Sequence, residues 1–263
     1  MKPGTVYLIG AGPGDPELIT VKALRRIQAA DVILYDRLVN EELLAYAKPS
    51  AVKLYCGKAP GRHAMSQERI HDTMIEYALS GYNVARLKGG DPYVFGRGGE
   101  EALALAARGI LSETIPGITS AIGAAASSDI PLTHRGISAS FAVVTGTRGD
   151  EHAAPVRWDL LAHSVDTLVV YMGVAQLAAI CEQLLLSGKA RSTPVAVIER
   201  GTTPHERIIN GSLDDIARIA EAEAVVNPAL IVIGETVRVR EQLQRLAGEA
   251  HARHGGDYIA YAI

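Results

Sequence analysis

The chain has 263 residues, of which 48% are hydrophobic and 21% charged, and its net charge at pH 7 is −3. This length forms one large or two medium domains with a real core, and the composition is typical of a soluble globular protein. The acidic excess argues against general nucleic-acid binding. The N-terminus lacks a secretory signal, and no apolar run reaches the roughly 18 residues that cross a bilayer. Cys56 and Cys181 lie far apart without metal-ligand spacing, which indicates reduced thiols, no metal site and a cytoplasmic location.

The first half of the chain alternates short apolar runs with amphipathic stretches, a pattern that predicts an α/β domain with a mostly parallel sheet. Strands are expected at 5–10, 31–36, 52–57, 83–87 and 112–117, and helices at 17–30, 37–48, 66–79 and 100–108. Ligands of parallel sheets bind beyond the carboxyl ends of the strands. The loops that follow these strands should therefore share one edge and form the active site.

The loop after the first strand reads GAGPGDP from Gly10, and Asp36 ends the second strand, as in a dinucleotide-binding unit. The third glycine comes one position too early for the G-x-G-x-x-G pattern. Pro13 has no N–H to offer a pyrophosphate, and Asp15 places a carboxylate where the phosphate would sit. The loop is therefore expected to hold a neutral or cationic ligand.

The densest motif follows the fourth strand and reads RLKGGDPYVFGRGGEE from Arg86 to Glu101. Its glycines let the backbone approach a ligand closely or adopt positive φ. Arg86, Lys88 and Arg97 surround these glycines with positive charge. Because a simple turn needs neither this many glycines nor this charge, the motif predicts a site for an anionic or planar ligand.

The small side chains of residues 119–128 predict a tightly packed helix that links to a second set of elements, with a boundary near residue 136. There, strands are expected at 140–146, 167–173, 194–199 and 229–234, and helices at 175–186, at 214–222 and from the last strand to about Leu246. The predicted domains are 1–136, an N-terminal α/β domain with the mostly parallel sheet, 137–246, a C-terminal α/β domain, and 247–263, a tail without an assigned role.

Several motifs together resemble the tetrapyrrole methylase family: GAGPGDPELIT, YDRLV, GK at 57–58, RLKGGDPYVFGRGGEE, PGITSAIGA, IPLTHR, YMG and NPALIVIG. The resemblance covers about residues 4–243 and is greatest to the members that methylate uroporphyrinogen III. It implies two α/β domains with S-adenosylmethionine in the cleft between them, usually in a homodimer. It also implies methylation of pyrrole carbons C2 and C7 to give precorrin-2, a precursor common to sirohaem, cobalamin and haem d1. Without an extra domain before the first strand, the chain resembles the stand-alone form.

The resemblance further implies roles for individual residues. It assigns the cofactor site to Pro13, Gly89, Gly90, Asp91, Val94, Thr119, Ser120, Met172 and Gly201. It assigns the proton acceptor and donor to Asp36 and Lys58, and the residues that grip or deprotonate the tetrapyrrole to Arg97, Glu100, Arg135 and Met172. The catalytic candidates are accordingly Asp36, Lys58, Arg97 and Glu100.

The side chains suit this chemistry. Uroporphyrinogen III carries eight carboxylates, and arginine forms bidentate contacts with carboxylates. Positive side chains fall on loops at the predicted ligand edge, namely Lys58, Arg62, His63, Arg97 and Arg135. The base that deprotonates the macrocycle could be Asp36, Glu100 or a desolvated Arg97. The high pKa of arginine favours substrate binding as the role of Arg97.

Other interpretations stay open. Asp36 could cap a helix or pair with Arg37, Met172 could fill the core, and Lys58 could be a solvated surface lysine. The same fold could instead act on a later corrin intermediate, a modified protein histidine or a ribosomal RNA nucleotide. It could also bind a tetrapyrrole or nucleoside without turnover. The net charge disfavours RNA, and Asp36 and Lys58 beside the arginines disfavour a binding module without activity.

Overall fold

The computed structural model describes residues 2–57, 65–147 and 154–254, with the backbone alone at 251–254. The chain forms two compact units, Met1–Ser120 and Ala121–Ile263. Each unit contains a five-stranded sheet with helices packed on it. The α/β fold class expected from the sequence is therefore confirmed in both units.

The sheet of the first unit is parallel. Its strands are β1 (Val6–Gly10), β2 (Val32–Tyr35), β3 (Val52–Tyr55), β4 (Val84–Lys88) and β5 (Ser112–Ile115), in the order β3-β2-β4-β1-β5. The inner strands β1 and β4 are mostly aliphatic because both faces of a parallel sheet are covered. All five strands end at the same edge of this sheet.

The described α-helices of the first unit are α1 (Val21–Ala29), α2 (Gln67–Leu79) and α3 (Gly98–Ala106). The helix expected at 17–30 begins only at Val21, because the Thr20 hydroxyl caps it by accepting a hydrogen bond from Ala23 N at 3.2 Å. The helix expected at 37–48 is instead a short 3-10 helix, Glu41–Tyr46.

Hydrophobic side chains fill both sides of this sheet, since neighbouring residues of a strand point to opposite faces. Leu8 packs in one cluster with Met74 of α2, whereas Ile9 packs in another with Ile27 of α1. Both clusters are fully buried at these positions. The strands are thus held on two sides, and the loops at their carboxyl ends start from fixed points.

The sheet of the second unit is mixed. Its strands are β6 (Phe141–Thr145), β7 (Thr167–Tyr171), β8 (Pro194–Glu199), β9 (Arg207–Ser212) and β10 (Ala229–Ile233), in the order β6-β7-β10-β8-β9. β6 pairs with β7 in parallel, and the other pairings are antiparallel. Because β7 and β8 are both antiparallel to β10, which lies between them, their carboxyl ends share one edge.

The described helices of the second unit are α4 (Ser120–Ser127), α5 (Trp158–Ser164), α6 (Leu177–Leu186), α7 (Ile216–Ala222) and α8 (Val237–His254). α5 is not predicted from the sequence, because its 7 residues make too few turns for a helical periodicity to be recognised. α8 continues beyond Leu246 into the expected tail. No helix of the described part of the chain is long and apolar enough to cross a membrane.

The division between the two units falls before Ala121, earlier than the boundary expected near residue 136. The helix expected to act as the linker, α4, contributes Ala121 and Ala124 to a buried cluster with Val169 and Ala196 of the second sheet. Small side chains allow this helix to approach the sheet closely. From Ala121 onward, α4 is therefore part of the second core.

The two cysteines are free and buried. Burial raises the pKa of the Cys181 thiol to about 11, and burial likewise raises the pKa of Cys56. Thiols of this kind stay protonated at neutral pH and react slowly. Both cysteines therefore act as small core residues.

Candidate active site

Three glycines bring the ends of β4, β1 and β5 into backbone contact. A Cβ added to Gly117 would lie 2.3 Å from the carbonyl oxygen of Gly90, and one added to Gly10 would lie 2.4 Å from Gly117 N. No side chain fits at such distances, so the close approach requires glycine. The carboxyl edge of the first sheet is thus built from backbone alone at its centre.

The loop after β1 is joined to the loop after β4. Gly12 N donates to Gly90 O at 3.3 Å, and Gly90 N donates to Gly12 O at 2.6 Å. This pair places Pro13 next to the Gly89–Gly90 turn. Asp15 serves the fold, because its Oδ1 accepts a hydrogen bond from Glu17 N (2.8 Å) and caps the 3-10 helix Pro16–Leu18.

Asp91 ties the loop after β4 to the end of β5. Its Oδ2 accepts a hydrogen bond from Gly117 N (3.0 Å), and its Oδ1 accepts one from Tyr93 N (2.8 Å). Gly90 has φ +67°, and a Cβ there would lie 3.6 Å from Cα of Thr119 and 3.8 Å from Ser120 N. The structure therefore brings together the seven expected cofactor residues of this unit: Pro13, Gly89, Gly90, Asp91, Val94, Thr119 and Ser120.

Arg97 and Glu100 form an exposed ion pair at the start of α3. Arg97 Nε and Nη2 donate to Glu100 Oε1 and Oε2 at 2.9 and 2.6 Å, in the bidentate geometry. Both side chains line a depression of about 310 Å³ on the surface of the first unit. The hydrogen bonds to Glu100 raise the pKa of Arg97, and those from Arg97 lower the pKa of Glu100. Neither change favours a base at this position.

The structure corrects the expected role of Arg86 and Lys88, which lie inside the first unit and do not border the loop as free cations. Their exposures are 3% and 4%, and both donate to Oε1 of the fully buried Glu101, at 3.2 and 2.8 Å. Gln67 Nε2 donates to the same oxygen at 3.1 Å. Burial and the nearby charge of Arg86 lower the pKa of Lys88. Arg86 and Lys88 are therefore paired in the interior, and Arg97 is the exposed cation of the motif.

Asp36 follows β2 at the same edge and is half-buried. Arg86 Nη2 donates to its Oδ2 at 3.3 Å, and its Oδ1 accepts a hydrogen bond from Leu38 N at 3.1 Å. Asp36 therefore pairs with a buried arginine from the neighbouring strand. Lys58, Arg62 and His63 lie outside the described residues, so the role of Lys58 as proton donor stays a prediction.

In the second unit, Met172 and Gly201 lie at one edge of the sheet, after β7 and β8. Met172 has φ 52° and is 47% exposed, so it does not fill the core. Gly201 is pressed against α4, since a Cβ there would lie 2.4 Å from Cβ of Ala124. Alanine is therefore excluded at residue 201 without movement of the helix.

Glu206 stabilises the turn that carries Gly201 through hydrogen bonds to its carboxylate. Its Oε2 accepts hydrogen bonds from Thr202 N (2.6 Å) and Ser127 Oγ (2.9 Å), and its Oε1 accepts one from Ser128 Oγ (3.0 Å). One carboxylate thus joins the turn to the end of α4.

Arg135 is exposed and is not brought together with Met172 and Gly201. His134 N donates to Ser138 O at 2.9 Å, which closes the turn around Arg135. The hydroxyl groups of Ser138 and Thr167 are 2.9 Å apart. Thr167 begins β7, whereas Met172 follows its end. The turn of Arg135 is therefore attached to the opposite edge of the second sheet.

This arrangement can be compared with known proteins. Residues 5–217 match the family described as Tetrapyrrole (Corrin/Porphyrin) Methylases. The chain belongs to the tetrapyrrole methylase family. The matched segment contains all the expected site residues, from Pro13 to Gly201, and the resemblance drawn from the motifs is confirmed.

Similar members of the tetrapyrrole methylase family match nearly the whole chain. Uroporphyrinogen-III C-methyltransferase of Priestia megaterium is 55% identical over 234 residues, which cover 89% of this chain and 98% of that protein. The crystal structure of uroporphyrin-III C-methyl transferase from Thermus thermophilus complexed with S-adenyl homocysteine is 44% identical, with a TM-score of 0.76, and covers 90% of this chain and 94% of that chain. Cobalt precorrin-4 methyltransferase is 30% identical, with a TM-score of 0.78, over 88% and 95% of the two chains.

Sequence reasoning missed two carboxylates of this tetrapyrrole methylase, Glu101 and Glu206. For Glu101 a signal existed, since it precedes Leu105 by one helical turn and both are buried on the same face of α3. For Glu206 no local pattern exists, because its partners on α4 are distant in sequence. Among the described residues, no group of three or more His, Cys, Asp or Glu side chains is placed to bind a metal.

Proposed function

We propose that the protein transfers methyl groups from S-adenosylmethionine to C2 and C7 of uroporphyrinogen III and so forms precorrin-2. The observation that carries the proposal is the loop after β4. Its glycine half is locked against Gly12 and Gly117, and its other half exposes Arg97. The names of the relatives at 44% and 55% identity support this substrate.

The residues of the first edge fit the methyl donor. Gly12 N and Gly90 N are used in their mutual pair, Ala11 N donates to Lys88 O (2.8 Å), and Pro13 has no N–H. Because these N–H groups are already used and Pro13 has none, this part of the edge suits a sulfonium cation better than a phosphate. The residues proposed to hold the donor are Pro13, Gly89, Gly90, Asp91, Val94, Thr119, Ser120, Met172 and Gly201. When bound, S-adenosylmethionine supplies a methyl group to the pyrrole carbon, and its sulfur keeps the electron pair of the broken bond.

The remaining residues bind the macrocycle and accept its proton. Arg97 is exposed and can exchange Glu100 for a substrate carboxylate in the same bidentate geometry. Because the methylated pyrrole must lose a proton, a base at the edge is required, and the carboxylate of Asp36 is the candidate we favour. Glu100 is the weaker candidate, since Arg97 lowers its pKa. Lys58 and Arg135 keep their proposed roles as proton donor and substrate contact. Much of the acceleration would come from alignment of the two substrates.

One assay tests the proposed function. The protein is incubated anaerobically with methyl-labelled S-adenosylmethionine and uroporphyrinogen III, and label in the tetrapyrrole and product absorbance are followed. We expect two methyl groups per macrocycle. A parallel incubation with a later corrin intermediate tests the alternative that the similarity to cobalt precorrin-4 methyltransferase raises. Transfer only to the later intermediate, or no transfer by folded protein, would overturn the proposal.

Arg97→Ala should abolish most tetrapyrrole turnover while the affinity for S-adenosylhomocysteine stays close to that of the wild type. The reason is that the Arg97 guanidinium donates hydrogen bonds to substrate carboxylates and lies outside the glycine half of the loop. Turnover and calorimetric titration measure the two effects. Arg69→Ala is a matched control, since Arg69 is also exposed and paired with one glutamate, Glu76, on α2. Loss of S-adenosylhomocysteine binding by Arg97→Ala would mean that Arg97 belongs to the cofactor site.

Glu206→Gln should weaken binding of S-adenosylhomocysteine by about tenfold, because an amide replaces one oxygen that accepts a charge-assisted hydrogen bond and the turn of Gly201 loosens. Titration calorimetry measures the change. Glu223→Gln serves as the control, since Glu223 is exposed and pairs with Arg207 at 3.6 Å on the same unit. Equal affinities of both variants would remove Glu206 from the support of the cofactor site.

The setting we propose is a cytoplasmic homodimer that binds neither nucleic acid nor membranes. Free, buried thiols suit a reducing compartment, and the net charge of −3 is unfavourable for nucleic acid. The homodimer is the assembly that the resemblance to the family implies. Light scattering of the purified protein tests the dimer.

A further inference from the structure

Arg86 connects the interior of the first unit to its ligand edge. It lies on β4 with its side chain 4% exposed, and its guanidinium makes three contacts. Nη2 is 3.3 Å from Asp36 Oδ2, Nε is 3.2 Å from Glu101 Oε1, and Nη1 is 3.0 Å from Leu87 O. Each of the three guanidinium nitrogens therefore has a partner, and two of these partners, Glu101 and Leu87 O, fix the orientation in which Nη2 meets Asp36.

Arg86, Lys88, Glu101 and Asp36 form a cluster of four charged groups, and its net charge is zero only when Asp36 is included. Arg86 and Lys88 bring two cations into the interior, and Glu101 supplies one buried carboxylate. Buried charges are stable when each is paired and hydrogen-bonded. Asp36, whose side chain is 29% exposed, is the fourth charged group and the one that faces the edge. Glu101 thus anchors Arg86 in the interior, and Arg86 in turn holds Asp36 at the edge of the sheet.

We propose that Arg86, anchored by Glu101, is a positioning residue that fixes the carboxylate of Asp36 for proton removal from the methylated tetrapyrrole. This inference rests on the proposed function. The buried part of the RLKGGDP motif thereby gains a role. From the sequence alone, its positive side chains are expected to bind a ligand. A carboxylate on a two-bond side chain that is held through Oδ2 by Arg86 and through Oδ1 by Leu38 N has little freedom to turn away.

The test compares Arg86→Gln in two backgrounds. In the otherwise wild-type chain, Arg86→Gln should lower kcat for methylation of uroporphyrinogen III by about tenfold, with KM and the affinity for S-adenosylhomocysteine unchanged. In the Asp36→Asn background, the same substitution should lower the residual kcat by less than about twofold, because the group that Arg86 positions is already gone. Arg86→Lys keeps the positive charge but not the planar guanidinium, and its kcat should lie between those of Arg86→Gln and the wild type.

Lys88→Met is the matched control. Lys88 is as buried as Arg86 and donates to the same Glu101 oxygen, but of the two cations it is Arg86 that donates to Asp36. If the cluster matters only for folding, Arg86→Gln and Lys88→Met should lower activity alike and by the same factor in both backgrounds. That result would overturn the inference. If Arg86→Gln does not fold, Arg86→Lys takes its place in the same comparison. We then expect Arg86→Lys to lower kcat in the otherwise wild-type chain but not in the Asp36→Asn background.

The wild-type enzyme separates this inference from the proposed function. Methyl transfer by the wild type, with the effect of Arg86→Gln suppressed by Asp36→Asn, supports both. Methyl transfer by the wild type with equal losses in both backgrounds leaves the function standing and overturns the role of Arg86. Failure of the wild type to methylate uroporphyrinogen III overturns the function and the inference together.

Discussion

Replacing Glu101 by glutamine should lower the free energy of unfolding by about 3 to 5 kcal/mol. Glutamine keeps the shape of the side chain and can still accept hydrogen bonds at one oxygen, so the change removes the charge and little else. Without that charge, the buried cations Arg86 and Lys88 repel each other, and only the half-exposed Asp36 opposes them. Denaturant titration of the wild type and the variant measures the difference.

The adjacent residue provides the control for this experiment. Glu100 lies on the same turn of α3, but its side chain is 51% exposed and its partner Arg97 is 56% exposed. Glu100→Gln should hardly change the free energy of unfolding, since exposed ion pairs are screened by solvent. Comparable destabilisation by the two substitutions would mean that the interior of the first unit tolerates unbalanced charge and that Glu101 is not its anchor.

Gly117→Ala should disrupt the cofactor edge. The added Cβ would meet Gly90 O at 2.3 Å and the backbone of Gly10 at 2.7 Å, and neither can move without breaking the contacts between β4, β1 and β5. Overpacking of this kind costs about 1 to 3 kcal/mol. If the backbone of Gly90 is the part that yields, binding of S-adenosylhomocysteine should weaken by roughly 10- to 100-fold. Calorimetric titration measures this loss.

Gly99→Ala is the matched substitution. Gly99 belongs to the same glycine-rich motif, but a Cβ there would have no atom within 4 Å, and neither glycine has φ in the left-handed region. Affinity for S-adenosylhomocysteine should therefore be retained, and α3 should gain slightly in stability because alanine favours helices. Retained affinity in Gly117→Ala as well would show that the edge can open without harm to the cofactor site.

Most of the fold could be predicted because its strands are short apolar runs that often end at a glycine. The run TVYLIG and the loops after it identified β1 and its neighbours within a residue or two. Elements set by capping or by distant contacts could not be predicted. Asn40 caps the 3-10 helix Glu41–Tyr46, which takes the place of the helix expected at 37–48. α4 looked like a linker because nothing in its alanines tells which core they enter.

The positions of the site candidates could be predicted in part, whereas the burial of two charged residues could not. The glycines and Asp91 were expected at the ligand edge, and the structure gathers them there. Arg86 and Lys88 were interpreted as ligand-facing because a charged residue next to a loop is usually solvated. Burial depends on what covers the strand, and the covering carboxylate, Glu101, comes from a helix that follows the loop. The spacing of Glu101 and Leu105 indicates that Glu101 is buried, but it does not indicate which cations Glu101 pairs with.

The backbone of these loops has one further consequence. Phe95, Arg97, Met172, Arg200 and Thr202 adopt φ between 51° and 66°, which only glycine does freely. Each such residue costs about 1 to 2 kcal/mol of conformational strain. The surrounding cores supply that free energy when the chain folds. The loops are therefore shaped before any ligand arrives, and binding does not have to order them. The protein is less stable than glycine at these positions would make it, and in return these loops are pre-organised.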